Sequence, residues 1–146
     1  MSNPAPSPKK RIEKPWGVYI LTLVDFVFLG IYPLVLIYVL KSRQDIELPA
    51  ISFVTGISLA LLIMAVSVWA SFGDNPARYL LLTLVTISSS LIIFNNVTLM
   101  ASGEIEGGDK ISSVGHILRG LVWLSVNWWY LTRPNTVAYY KQNTWR

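Results

Sequence analysis

The sequence predicts an all-α integral membrane protein built as an up-and-down bundle of four helices. Hydrophobic residues make up 53% of the 146-residue chain and charged residues only 14%, well below the roughly 25% of a soluble domain. Mean hydropathy is correspondingly positive, at +0.49. Four apolar runs, 16–40, 49–72, 79–100 and 111–131, each offer the roughly 20 residues that a helix needs to cross about 30 Å of hydrocarbon. The connections 41–48, 73–78 and 101–110 are short, so sequential helices must run antiparallel. Strands do not fit, because the runs are too long and lack period-2 alternation.

Residues 1–15 combine Pro4, Pro6, Pro8 and Pro15 with Lys9, Lys10, Arg11 and Lys14 and have no apolar face, the composition of a disordered basic arm. The first span, 16–40, is interrupted by one charge, Asp25. It exceeds the ~7–15 apolar residues of a cleaved signal peptide and no small-residue cleavage site follows, so it reads as a retained anchor. Gly30 and Pro33 predict a kink, because proline offers no N–H to the Leu29 carbonyl. In the second span, 49–72, Ser52, Gly56 and Ala60 form a ridge of small residues that lets another helix approach closely.

The third span, 79–100, carries Ser88, Ser89 and Ser90, then Asn95 and Asn96. Ser88 and Asn95 lie seven residues apart and share a helix face, which predicts one polar stripe toward the bundle core. Asn96-Val97-Thr98 matches a glycosylation pattern but falls inside the span, where it is a chance match. The fourth span, 111–131, contains His116 and Arg119. The loop before it holds Glu104, Glu106 and Asp109 at a spacing unlike a calcium loop. Residues 132–146 mix Tyr139, Tyr140 and Trp145 with Lys141 and Arg146, which suits a tail at the membrane interface.

Orientation follows from basic residues. With the N-terminus inside, eight of the 12 Lys and Arg residues are cytoplasmic, three are outside and Arg119 is within the membrane. Both termini are therefore expected in the cytoplasm. Trp16, Tyr19, Trp69, Phe72, Tyr79, Trp128, Trp129 and Tyr130 gather at the same side as an interfacial belt.

Asp25 and Arg119 are the charges placed within spans. Each costs about 2.5–3.5 kcal/mol near the bilayer centre unless it finds a partner. Counted from the cytoplasmic ends, Asp25 lies nine residues beyond Trp16 and Arg119 twelve before Leu131, depths of roughly 13 and 18 Å. The expected outcome is an intramembrane pair, with a proton or ion site as the functional alternative. Thr22 and Tyr32 share the stripe of Asp25, and Thr22, Ser88, Ser89, Asn95 and His116 are candidates for a polar core. A lone histidine offers no metal site, and no metal or cofactor is expected.

Lys14-Pro15-Trp16-Gly17-Val18 before the first span, Asn75-Pro76-Ala77-Arg78, and Trp128-Trp129-Tyr130-Leu131-Thr132-Arg133-Pro134 followed by Val137 to Tyr140 carry a resemblance. They resemble small bacterial four-span inner-membrane proteins of uncharacterised function. The resemblance spans the whole layout and implies a multi-pass inner-membrane location. It implies no catalytic residues, and Asp25 and Arg119 stand outside its pattern.

Function is expected to be non-catalytic. The net charge of +4 comes from few charges clustered near the chain ends, which points away from a nucleic-acid module. The absence of cysteine removes thiolate chemistry. There is no G-x-S-x-G, H-E-x-x-H or phosphate-binding glycine loop, so an enzyme is disfavoured. The expectation is a membrane interaction protein, an assembly, regulatory or immunity-type subunit, with the bilayer and a membrane-protein partner or further copies as its contacts. The alternative is an oligomeric small transporter or channel subunit that uses Asp25 and Arg119.

Overall fold

Three helices in the computed structural model of this protein, Trp16–Val39, Phe53–Ser71 and Asn75–Ser102, are long and apolar enough to cross a membrane. The structure describes residues 13–42, 50–103 and 107–143, and among them it contains helices and no strand. Helix α1 (Trp16–Asp25) continues through a π-helical turn (Phe26–Ile31) into α2 (Tyr32–Ser42). Then come α3 (Ala50–Ser71), α4 (Asn75–Ser102), α5 (Gly107–Leu131) and α6 (Pro134–Asn143). The fourth expected span, α5, has the length at 25 residues. Asp109, Lys110, His116, Arg119 and Asn127 dilute its hydropathy, and it is not one of the three.

The kink expected at Gly30 and Pro33 takes the form of this π-helical turn. The Tyr32 N–H reaches the Val27 carbonyl, five residues back, widening the helix just before the proline that has no N–H to give. Gly30 lies in this turn, where a Cβ would stand 2.2 Å from Met64 Cγ and 3.6 Å from the Ala60 carbonyl oxygen of α3. A Cβ at Gly56 would stand 3.1 Å from Ile37 of α2. These pairs run in opposite directions, so α3 is antiparallel to α1–α2, and the Gly56 and Ala60 ridge seats that helix. The side chain of Ser52 lies outside the described residues.

Trp69, Ala70 and Gly73 close α3. The Gly73 N–H donates to the Ala70 carbonyl at 3.0 Å, with Gly73 at φ +93°. Asp74 is extended, Pro76 sits in the first turn of α4 where its missing N–H costs nothing, and the Trp69 indole donates to the Asp74 carboxylate at 2.6 Å. Helix α4 ends at Gly103, in the left-handed conformation. Lys14 donates to the Ser71 carbonyl and lies 4.2 Å from the Tyr19 ring centroid, and partial burial holds its ammonium below the usual lysine range. The rest of the basic arm, 1–12, and the loop carboxylates Glu104 and Glu106 lie outside the described residues.

Helices α4 and α5 pack along one another. Arg78 meets Leu131 near one end, Trp128 meets Thr86, and a Cβ at Gly120 would stand 3.1 Å from Ile93 further along. The core is concentrated where Trp16, Gly73 and Leu131 come together, with Val18, Leu21, Ile63, Val66, Ala77, Leu81, Val85 and Leu131 buried. Lipid tails are as apolar as leucine, so it is packing and interhelical hydrogen bonds that hold such spans together. Burial fades toward the end that carries Gly103, where Val35, Leu36, Phe94, Val97, Val114 and Leu118 are exposed.

The tail expected at the interface, 132–146, is helical over α6. Thr136, Tyr139 and Tyr140, at i, i+3 and i+4, form its buried face. The Tyr140 hydroxyl donates to the Ala70 carbonyl at 3.0 Å. Burial, reinforced by neighbouring Tyr139, pushes that phenol above the usual tyrosine range. Helix α6 thus closes the Gly73 end of the molecule.

Candidate functional site

Asp25 ends α1 immediately before the π-helical turn and is fully buried. Its Oδ1 accepts two hydrogen bonds from α5, from the Trp123 indole N–H at 2.9 Å and the Asn127 amide at 3.1 Å. Trp123 and Asn127 are four residues apart and therefore occupy one face of α5. The Asn127 amide also donates to the Trp123 carbonyl at 3.2 Å. Asp25 Oδ2, Asn127 Oδ1 and the hydroxyl of buried Ser67 have no hydrogen-bond partner among the described residues. The interior thus holds a small polar layer with a carboxyl group at its centre.

Arg119 is not a partner of that carboxyl group, which corrects the expected Asp25–Arg119 pair. Its guanidinium lies 5.3 Å from the ring centroids of both Phe28 and Tyr32, a cation–π contact with the wide turn and the start of α2. Among the described residues no carboxylate pairs with it. The physical reason is depth. Asp25 is roughly 13 Å from the Trp16 end, whereas Trp123, eight residues before Leu131, is roughly 12 Å from the same end and Arg119 roughly 18 Å. A short aspartate side chain meets what lies level with it.

Beyond this layer α1–α2 and α5 part, with α4 as the floor between them. A cavity of about 480 Å³ opens there. Ser89, Asn96, His116 and Arg119 form its polar lining, and Phe28, Leu29, Pro33 and Leu36 its apolar wall. The floor is close because Gly120 lets α5 approach α4, where a Cβ would stand 3.7 Å from the Ser89 carbonyl. Trp123 joins the two regions: its N–H holds Asp25, and its ring, also in the cavity lining, lies 6.1 Å from that of Phe28.

The remaining candidates are divided between these surroundings. Thr22 is buried one turn before Asp25, but its hydroxyl donates to the Val18 carbonyl at 2.8 Å and so serves its own helix. Ser88 and Ser89 are buried on α4, and Tyr32 and His116 line the cavity. Asn95 is exposed, a correction to the expected stripe: it shares the face of Ser88, but burial has ended at that level of α4. Its neighbour Asn96 lines the cavity instead and donates to the Ile92 carbonyl at 2.8 Å.

Trp123 and Asn127 are the residues that sequence reasoning missed. Their signal was the spacing of two neutral donors on one face of the fourth run, level with Asp25. Chemically, the cavity offers donors and a positive charge and would favour an anionic group. Among the described residues no group of three or more His, Asp or Glu is placed to hold a metal ion. No family model, curated protein or solved structure matches the chain.

Proposed function

We propose that this is a four-span protein of the bacterial inner membrane with both termini cytoplasmic, acting without catalysis as a subunit of a membrane assembly. Support for the fourth span comes from α5, which packs along α4 over much of its length and so would share its depth. Support for the orientation comes from the excess of Lys and Arg at the Gly73 side. Reporter fusions at Asn143 and Gly107 are expected to read inside and outside respectively. A C-terminus outside the cytoplasm would overturn this topology.

The observation that carries the role is the guanidinium of Arg119 in the cavity lining, which pairs with no carboxylate among the described residues. At span depth such a charge costs about 2.5–3.5 kcal/mol unless an opposite charge meets it. Asp25, the other charge within the spans, is held by Trp123 and Asn127, and in this reading the compensating carboxylate comes from another molecule. A partner's transmembrane helix with Asp or Glu level with Arg119 supplies it, its side chains entering between α2 and α5.

The test places a photo-crosslinking residue at Leu36, on the cavity wall, and purifies the full chain in mild detergent. A crosslink to a different membrane protein is expected, and it should be lost in Arg119→Gln while the melting curve is retained. A crosslink that forms only between copies of this chain would overturn the heterologous assembly. That result would favour the second reading, an oligomeric small transporter or channel subunit, for which the supporting observation is a cavity of about 480 Å³ with polar Ser89, Asn96 and His116 on its wall.

A further inference from the structure

A second concavity lies at the opposite end of the molecule, where α4, α5 and α6 meet. It is a groove of about 430 Å³ whose lining holds Arg78 from α4 and, at its cationic mouth, exposed Lys141 from the last turn of α6. Arg78 is only 2% exposed. One of its nitrogens donates to the Leu131 carbonyl at 3.0 Å, which ties α4 to the end of α5. Its Nε is buried and has no hydrogen-bond partner among the described residues.

No carboxylate among the described residues pairs with this guanidinium. Its flanking groups are the rings of Tyr79, with the centroid 4.3 Å away, and Tyr140, at 5.8 Å. The nearest acid along the helix, Asp74, is engaged by the Trp69 indole. A buried cation with an unused donor, beside a second cation from another helix, is a site short of an anion.

Away from the mouth the groove turns apolar. Leu82 and Ile87 of α4 form one wall, and Trp128 of α5 the other, its indole fixed by donation to the Thr86 hydroxyl at 3.0 Å. The cationic mouth lies beside the first turn of α4, with Tyr79 and Trp128, in the band of aromatic residues that marks a membrane–water boundary. Phosphate groups of lipids sit at that level, and acyl chains run from it along the helices.

We propose that this groove is a binding site for an anionic phospholipid. The headgroup phosphate sits at Lys141 within the field of the Arg78 guanidinium, and an acyl chain lies along Leu82, Ile87 and Trp128. A free phosphate would use the mouth alone and leave the apolar walls unexplained; a zwitterionic lipid would bring its own cation to a groove that already holds two. The same arrangement, basic residues between spans at the bilayer surface, is a general mode of recognising acidic headgroups.

The test uses the full chain purified in mild detergent and reads thermal unfolding and lipid retained in native mass spectrometry. Phosphatidylglycerol is expected to raise the melting temperature and to remain bound, and phosphatidylcholine at the same concentration to do neither. Lys141→Glu, at an exposed position, should weaken phosphatidylglycerol retention roughly tenfold while melting without added lipid is unchanged. Arg78→Gln removes the tie to Leu131 and serves only as a second variant; where it folds, it should lose the same preference. Equal protection by both lipids, full protection by inorganic phosphate alone, or an undiminished preference in Lys141→Glu would each overturn the proposal.

Discussion

Gly73→Val is expected to disrupt the Gly73 end of the molecule and to lower its melting temperature by roughly 10 °C or more, measured on the full chain in mild detergent. Two independent costs combine. Gly73 sits at φ +93°, a conformation that side chains with a Cβ rarely adopt and that β-branched ones resist most, at roughly 1–3 kcal/mol. A Cβ there would also stand 2.7 Å from the Tyr139 hydroxyl and 2.9 Å from its ring carbons. Tyr139 is buried and packs edge-on against Tyr140 at 5.5 Å, so it has little room to retreat. Tyr140 in turn bonds Ala70, whose carbonyl also receives the Gly73 N–H, so a shift of this turn reaches α3, α4 and α6 together.

Combining Gly73→Val with Tyr139→Ala separates the two costs. The smaller residue relieves the clash but not the backbone strain, so the double variant should be less unstable than the sum of the singles. Strict additivity would show that the contact between Gly73 and Tyr139 carries no energy. A wild-type melting curve for Gly73→Val alone would remove the turn from any account of stability.

This turn illustrates how far the fold was legible in the sequence. Runs of 20 or more apolar residues leave the chain little choice but helix, because in lipid each backbone N–H and C=O must be satisfied within its own segment. The three apolar helices follow from that constraint. Pro33 announced a break in the first run, yet which neighbouring turn widens depends on α3, whose Met64 and Ala60 press against Gly30. For α6 the signal was present: Thr136, Tyr139 and Tyr140 fall at helical spacing after Pro134, a residue that begins helices readily. Composition alone pointed to the interface without pointing to a helix, because tyrosine beside lysine is equally at home at a headgroup and under a helix.

The candidate site was harder to read, and Asp25 shows why. Charge matching selects Arg119 as its partner, since an aspartate and an arginine in otherwise apolar spans invite pairing. Lateral geometry between α1 and α5 permits it, but a hydrogen bond forms between groups at one level. Trp123 matches the depth of Asp25 within a few ångströms, and an indole N–H is a donor that reads as an ordinary aromatic in a sequence. The opening between α2 and α5 is invisible for a different reason. It arises where two helices diverge beyond the wide turn, a tertiary event with no local signature.

The partner assignment makes Asp25 the second residue with a large expected effect, and the outcome depends on the substitution. Asp25→Ala removes the acceptor of both the Trp123 indole and the Asn127 amide in a fully buried setting. A buried donor left without an acceptor costs about 1–3 kcal/mol, so the two together should lower stability by roughly 2–6 kcal/mol. Asp25→Asn keeps an acceptor oxygen where Oδ1 stands but puts amide N–H donors in place of Oδ2, which has no hydrogen-bond partner among the described residues. Its melting temperature should fall below that of the wild type but stay clearly above that of the alanine variant, because the acceptor for Trp123 and Asn127 is kept. An ion pair with Arg119 demands the opposite, because neutralising one member strands the other charge and the asparagine variant would be as unstable as the alanine one. Double-mutant cycles in thermal unfolding distinguish the cases. Asp25→Ala combined with Trp123→Phe should show a coupling of about 1 kcal/mol, since the indole N–H no longer needs an acceptor once it is gone. Asp25→Ala combined with Arg119→Gln should be additive. A strong coupling to Arg119, with an unstable Asp25→Asn, would restore the pair and take the anion-seeking charge away from the cavity between α2 and α5.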